Sequence, residues 1–354
     1  MGGIEVSEII DHMSQNQNTK VIVTGASGYI GGAICIELKN QGYRVVGIDR
    51  RVRPHLKTYY DEFIQCDFVD ADSLKSVMNN MPDAIIHCAG TSLVGPSMTN
   101  PIEYYDNNVA KTAKYLEHIS KYSPKTKFIF SSSASVYGDP EKSHMLFEKS
   151  DTNPISPYGE SKLMTEMMLN WHNKAYGLQY VSFRYFNACG AVEGGIHGQE
   201  PNATHIFAKI FEAAMSNEAF TMYGIDYPTK DRTCVRDYIH VTDIAKAHIL
   251  AIENNLKGIY NIGSVKGHSN LEVFVKTENF LLDAERIGDG IVFNVAPRRE
   301  GDPAILIANS EKLQSETSWK PECDLDKIIE DLFDWYDSRA FQEMTKRSPA
   351  FTPL

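Results

Sequence analysis

Several things are scarce in this sequence, and each scarcity excludes a class. Six cysteines are spread over 354 residues, at 35, 66, 88, 189, 234 and 323. None forms a C-x-x-C, and no Cys/His set has zinc-ligand spacing, so a structural metal is not expected. They read as reduced, buried thiols of a cytoplasmic protein. No apolar run reaches the roughly 18 residues a membrane helix needs. The N-terminus lacks a basic segment and an apolar core, and Glu5, Glu8 and Asp11 interrupt it, so it does not read as a signal peptide. Val6 stands where a myristoylation motif requires Ser or Thr. There is no long basic block, and the net charge is −11, so neither nucleic acid nor membrane is an expected partner. An anionic ligand would have to be held by a few local arginines or helix N-termini. Internal repeats and low-complexity linkers are also missing.

What is present is an alternation of strands and helices. "KVIVTG" is a short β-branched run, and "YIGGAICIELKNQG" an amphipathic helix closed by Gly42. "YRVVGID", "DEFIQCD", "DAIIHCAG", "TKFIFSSS", "LQYVSFRYFN" and "GIYNIGS" follow as further strands. Apolar strands alternating with helices predict an α/β fold with a Rossmann-type, doubly wound parallel sheet. Such sheets bind ligands at the carboxyl ends of their strands. The polar clusters fall at those ends: Gly25, Asp49, Asp67, Gly90, Ser131 to Ser133 and Asn187. After Asn187 the alternation weakens. A smaller α/β substrate-binding domain is therefore expected to be interwoven with the first. The expected division is 19–190 with a return at about 237–265 for the dinucleotide half, and about 191–236 and 266–345 for the other. Residues 1–18 form an extension without a legible role.

"TGASGYIG" sets Gly25, Gly28 and Gly31 directly after a strand and at the mouth of a helix. Glycine lets backbone N–H groups approach a pyrophosphate, and the helix N-terminus attracts its charge. A glycine triplet alone is weak, since turns are glycine-rich anyway. Its context is stronger, because the next strand ends in Asp49, where a carboxylate accepts the ribose hydroxyls and repels a 2′-phosphate. NAD is the expected cofactor. Arg50 and Arg51 pull the other way, toward NADP, unless they belong to a solvated basic loop with Arg53.

"NPISPYGESKLMTEMML" places Tyr158 four residues before Lys162. With eighteen tyrosines, one such spacing is about what chance provides, and a surface i,i+4 contact would explain it. Position is the better argument. Pro157 pre-sets a helix entry, so Tyr158 lies in the first turn, where the dipole favours an anion. An ammonium one turn along favours a phenolate. Such a tyrosine can act as a general base toward a sugar hydroxyl. Three serines end the strand in "FIFSSSASVYG", and one of them can relay the proton. Dinucleotide, tyrosine, lysine and serine together point to hydride transfer at a carbon bearing a hydroxyl.

"TGASGYIG", "SSSASVYG", "PYGESK", "RYFNACGA", "YPTKDRTCVRDYIHVTDIA" and "APRREGD" resemble the extended short-chain dehydrogenase/reductase family and, within it, the UDP-glucose 4-epimerases. The resemblance runs from about Lys20 to about Trp335. It implies Tyr158 as base, Lys162 as its partner on the nicotinamide ribose, and Ser133 as the substrate-side hydrogen bonder. On the cofactor it implies Gly25, Gly28, Tyr29, Ile30, Gly31, Asp49 and Arg50, then Asp67 and Phe68 beside the adenine. Cys88, Ala89, Gly90, Asn107, Ser131, Ser132 and Tyr185 complete that set. For the UDP-sugar it implies Phe186, Asn187, Thr204, His205 and Tyr223, with Arg236, Tyr238, Arg299 and Asp302 as uridine and diphosphate anchors. The implied reaction is inversion at C4 of a UDP-hexose, by transient hydride transfer to bound NAD through a 4-keto sugar. A homodimer through helices near 110–122 and 161–176 is implied as well.

The chain departs from the family pattern at named positions. Ser92 replaces a usual lysine in "CAGTSLVG", and Arg232 and Cys234 stand where glycines are common. Leu306, of intermediate size, occupies the position that limits bulk at the sugar 2-substituent, which leaves N-acetylhexosamines open. Pentose and uronate 4-epimerases remain rivals, as does an NADP-dependent reductase. A 4,6-dehydratase needs an acid pair after the serine run, and here Ala134-Ser135 follows. A non-catalytic dinucleotide sensor would have no use for an intact Tyr158, Lys162 and Ser133.

Overall fold

The computed structural model describes residues 16–140, 145–299 and 302–346. Most of the N-terminal extension thus lies outside the described residues, as do Glu300 and Gly301 of the "APRREGD" motif.

Seven parallel strands form the central sheet. Their order is Gly258–Ile262, Tyr180–Tyr185, Lys127–Ser133, Ala84–His87, Lys20–Thr24, Arg44–Asp49 and Glu62–Gln65. These are the seven runs expected from the sequence. Side chains alternate across each strand, and both faces are covered. On one face Val21 and Val23 pack with Ile34, Leu38, Ile244 and Ala247. On the other, Ile22 packs with Val46, Tyr115, Leu116, Phe128 and Leu169. Helices on both faces make the sheet doubly wound.

The direction of winding reverses between Lys20–Thr24 and Ala84–His87, which are neighbours in the sheet but not in sequence. Ligands of such sheets bind in the crevice at this reversal. Below it, Thr24 and His87 are locked together by a buried Oγ1 to Nδ1 hydrogen bond of 2.7 Å, and the other ring nitrogen of His87 meets the Thr112 hydroxyl at 3.2 Å.

A second unit is built from segments that leave and re-enter the first. Gly267–Ser269, Val235–His240, Ile305–Ala308 and Met145–Leu146 form one sheet, and Asn187–Cys189 pairs with Val235–His240. Phe220–Tyr223 pairs with Phe293–Ala296. The helices Ile206–Ser216, Asn270–Asp283 and Leu325–Asp337 enclose a separate core of Phe207, Phe211, Phe274, Leu332, Trp335 and Tyr336. Trp335 donates its Nε1–H to the carbonyl of Gln199 at 2.8 Å, tying the last of these helices to the loop after Gly190.

Candidate active site

The glycine turn sits at the reversal. Gly25 has φ of +70°, and a Cβ there would lie 2.7 Å from the Ala89 amide nitrogen. A Cβ on Gly31 would lie 2.2 Å from the Gly25 carbonyl oxygen. Both contacts are with backbone, so only glycine lets strand, turn and helix Tyr29–Asn40 close this tightly. The helix begins without a side-chain cap, so its first amides are left for a ligand. Asp49 buttresses the turn, with Oδ2 accepting the Ser27 amide at 3.0 Å and Oδ1 the Arg51 amide at 2.9 Å. The Tyr29 hydroxyl donates to the Gly190 carbonyl at 2.7 Å, and Ile30 packs against the core. This cradle of backbone donors beside a carboxylate suits a dinucleotide.

Across the reversal, Gly90 has φ of +153° and is closed over Asn108, whose Oδ1 would be 2.7 Å from a Cβ. Asn108 is buried. It accepts the Thr91 amide at 2.8 Å and donates to Ser161 Oγ at 2.9 Å. Asn107, the residue named by the resemblance, is held by Thr91 and Lys111 at 2.8 Å each. Lys111 also holds Asp67 at 2.9 Å. Phe68 lies buried edge-on to His87, with ring centroids 4.8 Å apart. Ser92, in place of the usual lysine, accepts the Tyr104 hydroxyl at its carbonyl at 3.0 Å.

The helix Pro157–Tyr176 starts as its sequence predicts. Ser156 Oγ accepts the Gly159 amide at 3.2 Å, Pro157 follows, and Tyr158 sits in the first turn. Tyr104 meets the Tyr158 ring edge-on at 6.3 Å. Lys162 is buried, donates to the Ser131 carbonyl at 2.8 Å, and lies 5.8 Å from the Tyr158 ring centre. Burial lowers its pKa to about 8. Burial pushes the Tyr158 phenol up from its ordinary value, against the lowering influence of the neighbouring Ser133 hydroxyl, which itself donates to Ser135 Oγ at 3.2 Å. The Lys162 ammonium is spent on Ser131 and on the Phe130 ring, 4.9 Å away.

The three serines diverge. Ser131 Oγ bonds Tyr185 at 2.9 Å and Cys88 Sγ at 3.0 Å. Ser132 turns away from the crevice and donates to Glu166 at 2.6 Å, within a buried Glu166–Arg184 ion pair. The side chain of Ser132, expected in the cofactor set, is thus engaged by Glu166. Alternation along the strand sends Ser131 and Ser133 to one face and Ser132 to the other. Tyr185 is likewise enclosed, with its hydroxyl also 2.8 Å from His248.

In the second unit, Arg236 is buried and paired with Asp302 at 2.5 Å, and it donates to the Val235 carbonyl at 2.8 Å. The Arg299 guanidinium lies 4.2 Å over the ring of Tyr223. The Asp302 amide reaches the Arg299 carbonyl at 3.3 Å, so one loop carries both Arg299 and the carboxylate that pairs with Arg236. Asn187 is part-buried beside Tyr238 in the strand pairing. Thr204 and His205 are exposed at the mouth of helix Ile206–Ser216. Phe186 packs with Ala134, Tyr137 and Leu306, directly behind Ser133. Tyr238 is not brought to this cluster. It is buried against Phe207, and its hydroxyl is spent on Asn270 at 2.9 Å.

The family model that matches residues 21–263 is the NAD dependent epimerase/dehydratase family. The chain belongs to that family. A UDP-glucose 4-epimerase of Lacticaseibacillus casei is 40% identical over 330 residues, covering 90% of this chain and 97% of that one. The crystal structure of UDP-glucose 4-epimerase from Bifidobacterium longum in complex with NAD+ and UDP is similar, with a TM-score of 0.82 and 34% identity. It covers 91% of this chain and 99% of that chain. The UDP-Glc/GlcNAc 4-epimerase of Campylobacter jejuni gives a TM-score of 0.75 at 32% identity, over 90% and 98% of the two chains.

Within this member of the epimerase/dehydratase family, sequence reasoning missed Asn108, Tyr104 and Glu200. "DNNV" offers two adjacent asparagines, and only their burial separates them. Tyr104 lies in a short helical stretch just before a π-helical turn, Tyr105–Ala110, a distortion no periodicity announces. Glu200 carried no motif. In the structure it grips Arg51, with Nη1 to Oε2 at 3.1 Å and Nη2 to Oε1 at 3.0 Å, and it also pairs with Arg53. Arg50 stays exposed, its carbonyl accepting Gln65 Nε2 at 3.3 Å.

Proposed function

We propose that the protein is a UDP-hexose 4-epimerase that works with NAD. The observation carrying this reading is the placement of Tyr158, Ser133 and Lys162 at the sheet reversal, with the Arg236–Asp302 and Arg299–Tyr223 pairs supplied by the interwoven unit.

Tyr158 is the group that takes and returns the proton of the sugar 4-hydroxyl, with Ser133 bonded to both oxygens. Gly25, Gly28 and Gly31 with the first amides of helix Tyr29–Asn40 would hold the NAD pyrophosphate, Asp49 the adenosine ribose, and Lys162 the nicotinamide ribose. NAD supplies, when bound, a reversible hydride acceptor and a positive ring beside the phenol. Arg236 and Arg299 hold the diphosphate by charge-assisted hydrogen bonds, which suits firm anchoring of UDP and leaves the hexose free to turn over. The nucleotide-sugar half is the part spanning about 191–236 and 266–345.

We also propose a cytoplasmic homodimer. All six cysteines are free, as a reducing compartment requires. Among the described residues no helix is long and apolar enough to cross a membrane. Met164, Met167 and Trp171 are exposed at helical spacing along one stripe of Pro157–Tyr176. Trp171→Glu should convert the dimer to monomer in sedimentation velocity, and a dimer that survives would place the interface elsewhere.

The reading is tested by incubating the protein with UDP-galactose and catalytic NAD, then following the UDP-glucose to UDP-galactose ratio by chromatography. A mixed equilibrium without net cofactor reduction supports it. UDP bound but UDP-galactose unchanged would turn the assignment to N-acetylhexosamines, pentoses or uronates.

A further inference from the structure

Three arginines, Arg50, Arg51 and Arg53, follow the strand whose last residue is the ribose carboxylate, and of these Arg50 points to solvent. Basic side chains in that place are suited to a 2′-phosphate, through bidentate, charge-assisted hydrogen bonds. Neither Arg51 nor Arg53 is free for that role here. Both are paired with Glu200, which binds Arg51 through both carboxylate oxygens. Glu200 comes from the loop beyond Gly190 and not from the strands that form the dinucleotide crevice. That loop is fixed beside it, because Gln199 is buried and its carbonyl is held by Trp335. The Arg51 backbone is fixed as well, its amide bonded to Asp49. The carboxylate and the two guanidinium groups are thus held together from both sides. Arg53 is the more covered of the two, with 17% of its side chain accessible against 58% for Arg51.

We propose that Glu200 is a cofactor-selecting residue: by occupying Arg51 and Arg53 it denies them to a 2′-phosphate, so rejection of NADP is shared between Asp49 and a carboxylate from the interwoven unit. The inference rests on the dinucleotide reading of the glycine turn and not on which sugar is turned over. Removing the Glu200 charge leaves two unpaired guanidinium groups near the ribose hydroxyls. It adds no group that NAD itself needs.

The test is calorimetric titration of NAD and of NADP into the full-length chain, stripped of copurified dinucleotide. Glu200→Gln should tighten NADP about tenfold and change NAD less than about threefold. Adding Arg51→Gln and Arg53→Gln to that variant should cancel the gain. Glu200→Asp keeps the charge but is one methylene short. It should give a smaller gain, and it stands in if the glutamine variant does not fold. An unmoved NADP to NAD affinity ratio in the variant that folds overturns the proposal, as does a gain that persists without the arginines. NAD titrated into the unaltered chain separates the two failures: absence of NAD binding there overturns the dinucleotide reading and the role of Glu200 with it, whereas NAD binding with an unmoved ratio in the variant overturns the role of Glu200 alone.

Discussion

In the proposed reaction Tyr158 carries most of the chemistry. Its phenol is half-buried, and burial raises it above its ordinary value against the lowering influence of the Ser133 hydroxyl. Replacing the phenol by phenyl removes the proton carrier and little else. Tyr158→Phe should lower kcat by about 10²–10⁴-fold while UDP affinity, read by calorimetry, stays within twofold. Full activity in that variant would reassign the base. At this scale the sequence was readable where a motif fixed both residue and backbone, as at Ser156-Pro157-Tyr158. It was unreadable where neighbours differ only in the direction they point. Asn107 and Asn108, or Ser131 and Ser132, are such pairs, and burial against other elements decides between them.

At the level of elements, the entry of helix Pro157–Tyr176 is set by contact as much as by capping. A Cβ on Gly159 would lie 2.4 Å from the Ser135 carbonyl oxygen, and that oxygen is backbone in the turn leaving Ser133. Gly159→Ala should push the helix away from the strand end and cost about 1–3 kcal/mol. It should also lower kcat more than a stability loss of that size explains, because Tyr158 and Ser133 move apart. A thermal melt beside a kinetic assay separates the two effects, and unchanged kcat in a destabilised variant would show that their register does not depend on Gly159. The seven central strands were legible because each holds β-branched or aromatic residues, buried on both faces in the inner strands and less so in the edge strand Glu62–Gln65. The second unit was not. Met145–Leu146, Asn187–Cys189 and Gly267–Ser269 have two or three residues each, too few for any period, and they exist only because partners from distant sequence pair with them.

The whole molecule holds a set of neutral histidines. Burial lowers His55, His197 and His248 to about 4 and His87 to about 3. His55 and His197 bond each other at 3.1 Å, and His197 also reaches the Gly28 and Tyr29 carbonyls, so part of this set underlies the glycine turn. Below the ordinary histidine value of about 6.5 the unfolded chain takes up protons that the folded chain refuses. Stability should therefore be fully present above that pH and fall as pH drops from 6.5 toward 4, by roughly 3–5 kcal/mol per pH unit at the steepest. Asp237 works in the opposite sense. Burial raises it to about 6, so it holds its proton more tightly when folded and offsets part of the loss. Chemical denaturation at stepped pH checks the slope, and a flat profile between pH 6.5 and 4.5 would mean these histidines are protonated in the folded protein.

The interleaving of the two units also sets an order of events during synthesis. When the ribosome has released Met145–Leu146, that short strand waits for Ile305–Ala308, its neighbour in the sheet. Trp319 and the backbone at Glu322 and Cys323 must then return to Asp243. The dinucleotide crevice can thus close on a nascent chain while the arginines at 236 and 299 are still apart. The proposed anchor Arg236 therefore gains its partner Asp302 only after a further stretch of chain has emerged.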